Sequence, residues 1–168
     1  MSDDDLGGLD DDYASRTEAA CARIGERAKA LGLTVAVAES LTGGALVARL
    51  AAAPGSGEWL RGGVVAYDRA VKYEVLGVPR GPVVCEVAAR AMAEGVARLL
   101  RADVALSLTG VAGPDEQDGM PVGTVYFGVR TPEGEVRVEH ARFHGDPGEV
   151  VERALDHGFA LLLRATAR

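Results

Sequence analysis

Short apolar segments alternate with helical segments along this sequence, and few architectures accommodate that order. The segments 33–38, 62–67 and 104–109 are apolar and rich in β-branched residues, which is typical of buried strands. Strands interleaved with helices predict a mostly parallel sheet that is covered by helices on both faces. The helices are predicted from apolar residues spaced three or four apart, and they span 13–31, 45–52, 70–76 and 84–100.

The end of the chain predicts a change in strand direction. The segments 123–129 (GTVYFGV) and 136–143 (VRVEHARF) flank a typical turn sequence, TPEG at 131–134, so we expect them to pair antiparallel. A final helix is predicted over 148–165. The predicted fold class is therefore α/β, a three-layer α/β/α sandwich with a mixed, mostly parallel sheet and one antiparallel strand near the end.

Length and composition predict a single domain. A chain of 168 residues with 48% hydrophobic residues can bury a sizeable core without disulfides or a structural metal. We expect the domain to cover residues 13–168. Residues 1–12 are rich in Asp and Gly and have few apolar anchors, which predicts a disordered, mobile acidic tail.

Charge and sequence pattern limit the expected partners. A net charge of −7 disfavours broad binding to nucleic acid. No apolar run approaches the roughly 18 residues of a membrane span, and the acidic start lacks the pattern of a secretory signal, so we expect a cytoplasmic protein without membrane contacts. Cys21 and Cys85 are expected to be free thiols, and no Cys/His cluster has zinc spacing, so no metal or cofactor is expected.

Polar and glycine residues follow the first predicted strand, and they suggest a site. Ser40 precedes a predicted helix, where free backbone N–H groups of Thr42, Gly43 and Gly44 can bind an anion or an oxyanion. Ligands of such sheets bind beyond the carboxyl ends of the strands. Ser40 or Thr42 could instead simply cap the helix, and the pattern alone leaves the two readings balanced.

A serine nucleophile needs a base, and Lys72 is the remaining option. His140, His144 and His157 have no assignable partner and are expected at the surface. A partly desolvated lysine loses its charge more easily and can accept the hydroxyl proton, with Tyr67 relaying it or orienting a substrate. Taken singly, each residue is better interpreted without a function, Lys72 as a solvated helix residue and Tyr67 as a strand-end aromatic packed on the core.

The third strand ends in a turn of small residues. The segment 109–114 (TGVAGP) can bring backbone amides against a ligand, although it could also be a plain strand-to-loop connection. The following residues 115–118 (DEQD) are acidic, but they lack the spacing of a divalent-ion loop, so we expect a solvated loop there.

Four segments together resemble a known family in their order and spacing. The chain resembles the CinA C-terminal domain family, which includes the nicotinamide mononucleotide (NMN) deamidases, over about residues 13–165. The segments that carry the resemblance are 38–44 (AESLTGG), 62–67 (GGVVAY) with Lys72 and 76–78 (LGV), 109–114 (TGVAGP), and 121–125 (PVGTV).

The resemblance implies hydrolysis of the NMN amide to nicotinic acid mononucleotide and ammonia, without a metal or cofactor. It also implies a homodimer or higher homo-oligomer with a small-molecule nucleotide substrate. Many relatives carry an additional N-terminal nucleotide-processing domain, which we do not expect in this chain. The implied catalytic residues are Ser40, Tyr67, Lys72 and Thr109, and the implied substrate-binding residues are Thr42, Gly43, Gly44, Gly110, Ala112 and Gly113.

One departure from the family pattern motivates alternative functions. Family members carry arginine where this chain has Pro147, and a second arginine where it has Val151. Arg142 and Arg153 are nearby candidates to replace the lost charge. The alternatives are a catalytically degenerate relative that binds a pyridine nucleotide or a protein partner, and a related hydrolase with a different amide substrate.

Overall fold

The computed structural model describes the backbone of residues 3–167 and the side chains of residues 12–167. Helices and strands follow each other in the predicted order. The helices are α1 (Asp3–Leu31), α2 (Ala45–Ala51), α3 (Arg69–Glu74), α4 (Glu86–Leu100) and α5 (Pro147–Ala165), and the strands are β1 (Val35–Glu39), β2 (Leu60–Val65), β3 (Val104–Gly110), β4 (Thr124–Arg130) and β5 (Val136–Arg142).

The five strands form one sheet in the order β2-β1-β3-β4-β5. β1 pairs parallel with both β2 and β3, whereas β4 pairs antiparallel with both β3 and β5. β4 is therefore the one strand of this sheet that runs against the others. The predicted mixed, mostly parallel sheet with one antiparallel strand near the end is confirmed.

Helices cover the sheet on both faces, and the alternation of side chains along each strand divides the core in two. Val35, Val37 and Leu106 pack on one face in a cluster that includes residues of α1, α2 and α5. Ala36 and Ala105 belong to a second cluster, with α4 and the segment around α3. This division produces the predicted three-layer α/β/α sandwich.

Small residues let α4 lie close to the sheet. A Cβ atom at Gly128 of β4 would lie 2.4 Å from the carbonyl oxygen of Ala89, so only glycine fits there. Ser107 of β3 donates its hydroxyl to the same Ala89 oxygen at 2.6 Å and accepts the Gly128 N–H at 3.1 Å. These contacts hold α4 close against β3 and β4.

Element boundaries differ from the prediction mainly at the start of the chain. α1 begins at Asp3 rather than at residue 13, so part of the predicted tail has helical backbone. Met1 and Ser2 lie outside the described residues, and the mobility of the tail stays a prediction. β2 ends at Val65, which leaves Ala66 and Tyr67 beyond the strand, and a short 3-10 helix at Ser56–Glu58 was not predicted.

The remaining features are the two cysteines and the apolar character of the helices. Both cysteines are free thiols, with Cys21 buried and Cys85 partly buried. Among the residues that the structure describes, no helix combines the length and the apolar character needed to cross a bilayer.

A buried carboxylate organises the turn between β1 and α2. Glu39 is fully buried at the end of β1. Its Oε2 atom accepts hydrogen bonds from the Thr42 hydroxyl at 2.6 Å and from the N–H groups of Gly44 at 2.9 Å and Leu46 at 3.1 Å. Its Oε1 atom accepts from the Val47 N–H at 2.7 Å. We call this set of four hydrogen bonds the Glu39 clamp, because it fixes the start of α2 against the strand.

Replacement of Glu39 by glutamine is expected to destabilise the fold. The amide nitrogen of Glu39→Gln donates hydrogen bonds and cannot accept them, so at least one buried N–H loses its partner and the rest lose a charged acceptor. We expect the free energy of unfolding to fall by about 2 kcal/mol, measured by urea denaturation. Glu18→Gln, on the exposed face of α1, is the matched control. Equal stability of the two variants would contradict the role of the clamp.

Candidate active site

The site lies where the three parallel strands end. A pocket of about 300 Å³ opens at this edge of the sheet. Its wall is formed by Ser40 and Leu41 after β1, by Tyr67 after β2, and by the residues that end and follow β3, 110–117. Carboxyl ends of neighbouring parallel strands meet at one edge, which is why residues far apart in sequence share this pocket.

Ser40 offers a free hydroxyl to the pocket. The residue follows the last position of β1 and is 8% exposed. Its Oγ atom has no hydrogen-bond partner within the described part of the chain, whereas its carbonyl oxygen accepts the N–H of Gly43 at 3.0 Å. A buried hydroxyl at the wall of a pocket, without a partner of its own, is available to a ligand.

The backbone N–H groups that are free beside Ser40 differ from those expected from the sequence. The N–H groups of Gly43 and Gly44 were expected to face a substrate, but they donate to Ser40 and Glu39. The Thr42 hydroxyl also donates to Glu39. Within the described residues, the N–H groups of Leu41 and Thr42 have no acceptor, so the free donors lie one and two residues after Ser40. The sequence could not show this, since the clamp depends on where the Glu39 side chain points.

Lys72 is buried at the same edge of the sheet. The side chain is 2% exposed, and its Nζ atom donates to the carbonyl oxygens of Ala66 at 2.6 Å and Tyr67 at 3.2 Å. Burial, reinforced by the nearby Arg69 charge, lowers the pKa of Lys72 to about 8. A lysine with these properties is partly neutral near neutral pH and can then accept a proton.

The pairing of β1 with β2 brings Lys72 next to the Ser40 turn. Glu39 pairs with Val65, and the Ala66 N–H donates to the Glu39 carbonyl at 2.7 Å. Ala66 is thus one strand spacing, about 4.8 Å, from the peptide that carries Ser40. Lys72 does not form part of the pocket wall and makes no hydrogen bond to Ser40. Its ammonium is linked to the wall through the hydrogen bond to the carbonyl oxygen of Tyr67, which is a wall residue.

Tyr67 lies at the mouth of the pocket. Its side chain is 74% exposed, so it is not the core aromatic considered as an alternative above. Its carbonyl oxygen accepts from Lys72, and the residue forms part of the pocket wall. The ring is therefore free to contact a ligand, while its backbone holds the lysine.

Thr109 is close to the site but does not face the pocket. Its hydroxyl is buried and donates to the carbonyl oxygen of Val83 at 2.6 Å, which ties the end of β3 to the segment before α4. Of the small residues that follow, Gly110, Ala112 and Gly113 form part of the wall as expected. Gly110 is also required by packing, because a Cβ there would lie 2.6 Å from the Thr124 carbonyl oxygen.

Asp118 ends the acidic segment 115–118, which was expected to be a solvated loop, but its side chain is only 9% exposed. Its Oδ2 atom accepts from the N–H groups of Val83 at 2.7 Å and Val84 at 3.0 Å, and its Oδ1 atom accepts from Arg69 at 2.5 Å. Burial raises the pKa of Asp118, but the hydrogen bonds from Arg69, Val83 and Val84 outweigh it and hold the pKa below its usual value. Asp118 thus anchors the pocket loop 110–117 to α3 and to the start of α4.

Pro147, where the resemblance implies an arginine, lies beside the pocket residue Gly113. Pro147 begins α5, and a Cβ on Gly113 would lie 3.8 Å from the Pro147 Cγ atom. Arg142 and Arg153, the nearby candidates, are exposed and do not form part of the pocket wall.

His140 and His144 are exposed as expected, but His157 is half-buried, with its ring centroid 4.6 Å from that of Phe127. None of the three histidines belongs to the pocket wall, so the described wall contains no basic side chain.

Larger cavities exist elsewhere but lack this combination of residues. One of about 510 Å³ lies between the ends of α1 and α5 and the turn after β4, and one of about 560 Å³ lies between α1 and α2. Neither contains Ser40, Tyr67 or the loop 110–117. The smaller pocket is the better candidate, because its wall includes Ser40 with its unpartnered hydroxyl and Leu41 with its free N–H group, and its wall residue Tyr67 binds the buried Lys72.

Comparison with curated proteins shows relatives along most of the chain. A CinA-like protein of Gemmatimonas aurantiaca is 42% identical over 165 residues, which cover 95% of this chain and 37% of the relative. A CinA-like protein of Mycobacterium sp. (strain JLS) is 44% identical over 140 residues, which cover 80% of this chain and 33% of the relative. The chain spans about a third of the length of these curated relatives.

Solved structures share the whole fold. The CinA superfamily protein of Klebsiella pneumoniae superposes with a TM-score of 0.84 at 32% identity, covering 89% of this chain and 97% of the other. The CinA superfamily protein of Enterobacter cloacae gives a TM-score of 0.85 at 30% identity, covering 90% and 92%. The sequence profile of the CinA C-terminal domain matches residues 17–166. The chain belongs to the CinA C-terminal domain family.

Proposed function

We propose that this chain is a metal-independent amidohydrolase that converts the carboxamide of NMN to a carboxylate, giving nicotinic acid mononucleotide and ammonia. The observation that carries the proposal is the buried, unpartnered Ser40 hydroxyl in a pocket whose wall residue Tyr67 accepts a hydrogen bond from the buried Lys72. Membership of the family supports the fold, whereas the proposed chemistry rests on the side chains of Ser40 and Lys72.

The neutral form of Lys72 suits the role of general base. A neutral amine has two N–H donors and one lone pair, and the carbonyl oxygens of Ala66 and Tyr67 accept two donors. The lone pair then remains to accept the Ser40 proton as Oγ attacks the amide carbon. In the apo protein the Ser40–Lys72 hydrogen bond is not formed, and it is expected to form when substrate is bound.

The reaction proceeds through an ester on Ser40. Attack on the carbonyl forms a tetrahedral intermediate whose oxyanion is stabilised by the N–H groups of Leu41 and Thr42. The C–N bond then breaks, and the proton held by Lys72 passes to the leaving nitrogen, which departs as ammonia. Water next attacks the ester, Lys72 again accepts the proton, and cleavage of the C–Oγ bond returns it to Ser40 and releases the acid.

The remaining site residues have positioning roles in this proposal. Thr109 and Asp118 both bind the segment at Val83, which keeps the pocket loop in place. The Glu39 clamp holds the turn that carries Ser40. Tyr67 orients the substrate ring at the mouth of the pocket. Gly43 and Gly44 permit the left-handed backbone of the turn, with φ of 60° and 100°.

A second candidate function is ligand binding without turnover. It is favoured by one observation, the presence of Pro147 at the pocket rim where an arginine is typical of the family. A pyridine nucleotide or a protein partner would then occupy the pocket without hydrolysis. Ligand binding raises apparent thermal stability, so this candidate predicts a thermal shift with NMN and no ammonia.

Substitution of Ser40 by alanine tests the nucleophile. We expect Ser40→Ala to reduce ammonia release from NMN by about a thousandfold or more, because the described pocket wall holds no other serine or threonine hydroxyl to replace it. Ser15→Ala, on the exposed surface of α1, serves as the control and should retain full activity. Ammonia release at the wild-type rate by Ser40→Ala would disprove the nucleophile. A wild-type protein with no turnover but a thermal shift would instead establish the binding function.

The pH dependence of kcat/KM tests Lys72. The free base is the active form, so activity should rise with pH through an apparent pKa of about 8 and be lost progressively below it. The variant Lys72→Met keeps the length of the side chain and should lose activity, whereas Lys29→Met on α1 should keep both activity and pH profile. A cooperative thermal melt of Lys72→Met shows that the variant is folded, which the comparison of activities requires. A flat profile between pH 7 and 9 would argue against Lys72 as the base.

A further inference from the structure

We propose that the pocket recognises the pyridinium carboxamide end of its substrate and not a phosphate, so that the unphosphorylated nucleoside of nicotinamide is hydrolysed at least as well as the mononucleotide. This inference rests on the proposed amidohydrolase function. It is carried by the charges that surround the pocket.

The pocket wall is negative. Asp115 and Glu116 are its charged residues, and no Lys, Arg or His side chain belongs to the described wall. A phosphate monoester carries roughly −1.5 to −2 charges at pH 7. A phosphate in the pocket would therefore be repelled by two carboxylates of the wall and would gain no ion pair from it.

Two cations that contact the residues around the pocket, Lys72 and Arg69, are already engaged. The Lys72 ammonium is buried and donates to two backbone carbonyl oxygens. The Arg69 guanidinium is bound to Asp118, whose other oxygen accepts two backbone N–H groups. Recruitment of Arg69 by a phosphate would leave the largely buried Asp118 carboxylate without its ion pair, which is costly.

The helix end beside the pocket is also closed to an anion. α5 begins next to Gly113, and helix N-termini commonly bind phosphate. Here the Asp146 carboxylate accepts the Glu149 N–H at 3.0 Å, and the Glu149 carboxylate accepts the Asp146 N–H at 2.8 Å. Pro147, between them, has no N–H to offer. Two carboxylates thus occupy the position that a phosphate would take.

The same features suit a cation. The pyridinium ring of an N-ribosylated nicotinamide is positively charged and carries the carboxamide that Ser40 would attack. Tyr67, with its exposed ring at the pocket mouth, offers an aromatic face to such a cation. The negative charges of Asp115 and Glu116 also attract such a cation. A pocket of about 300 Å³ is also at the small end of the range for ligand sites, roughly 300–1,000 Å³.

The test compares ammonia release from NMN and from its unphosphorylated nucleoside under identical conditions. We expect kcat/KM for the nucleoside to equal or exceed that for NMN. The double variant Asp115→Asn with Glu116→Gln should lower kcat/KM for the nucleoside several-fold and raise it for NMN. Glu94→Gln, on the exposed face of α4, is the matched control and should change neither value.

A variant with an added arginine provides a second test of phosphate recognition. Pro147→Arg places a guanidinium at the rim of the pocket next to Gly113. A charge-assisted contact with a phosphate should raise kcat/KM for NMN by about tenfold, with no gain for the nucleoside. The capping box of α5 is kept in this variant, and a thermal melt checks its fold.

The outcomes separate this inference from the proposed function. Wild-type preference for NMN by tenfold or more would overturn the inference and leave the amidohydrolase proposal standing. If neither compound releases ammonia, the amidohydrolase proposal fails, and thermal shifts with the same two compounds then decide the inference. A larger shift with the nucleoside supports it, and a larger shift with NMN overturns it.

Discussion

The Glu39 carboxylate is the group on which the local structure of the site depends. A fully buried carboxylate is stable only where hydrogen bonds replace its hydration, and four donors from the following turn and helix do so. The clamp has two consequences. It fixes the turn that exposes the Ser40 hydroxyl, and it consumes the N–H groups at the helix start, so that the free donors are those of Leu41 and Thr42.

The second constraint is the close packing of α4 on the sheet. Gly128 and Ser107 allow and fix that approach, and Thr109 and Asp118 extend it by holding the backbone at Val83. The same layer buries the side chain of Lys72 against the end of β2. A lysine would otherwise keep its ammonium in water, so its lowered pKa is a consequence of the fold and not of a neighbouring catalytic charge.

Much of this architecture could be predicted from the sequence, because it depends on local patterns. The apolar runs that form β1 and β3, and the helical spacing in α4, require no knowledge of distant residues. Ser40 and the loop 110–117 could be placed at one edge because parallel strands end together. The candidate roles of Lys72 and Tyr67 also followed from residue chemistry, whereas the role of Thr109 was implied by the family resemblance.

The rest depends on side-chain directions and on contacts between distant segments. Thr109 binds a carbonyl 26 residues away, and Asp118 reaches two N–H groups more than 30 residues before it, which no periodicity reveals. The expectation that Gly44 would offer its N–H to a ligand was wrong, because the sequence does not show that the Glu39 side chain turns toward α2.

The protonation state of Lys72 is the property on which the chemical proposal depends, and it can be measured directly. The chain has two lysines, Lys29 and Lys72, so an NMR titration of isotope-labelled lysine side chains gives two signals, and Lys72→Met assigns them. The account predicts that the Lys72 signal titrates with a pKa of about 8. Titration of that signal near 10.5, the ordinary value for lysine, would contradict it.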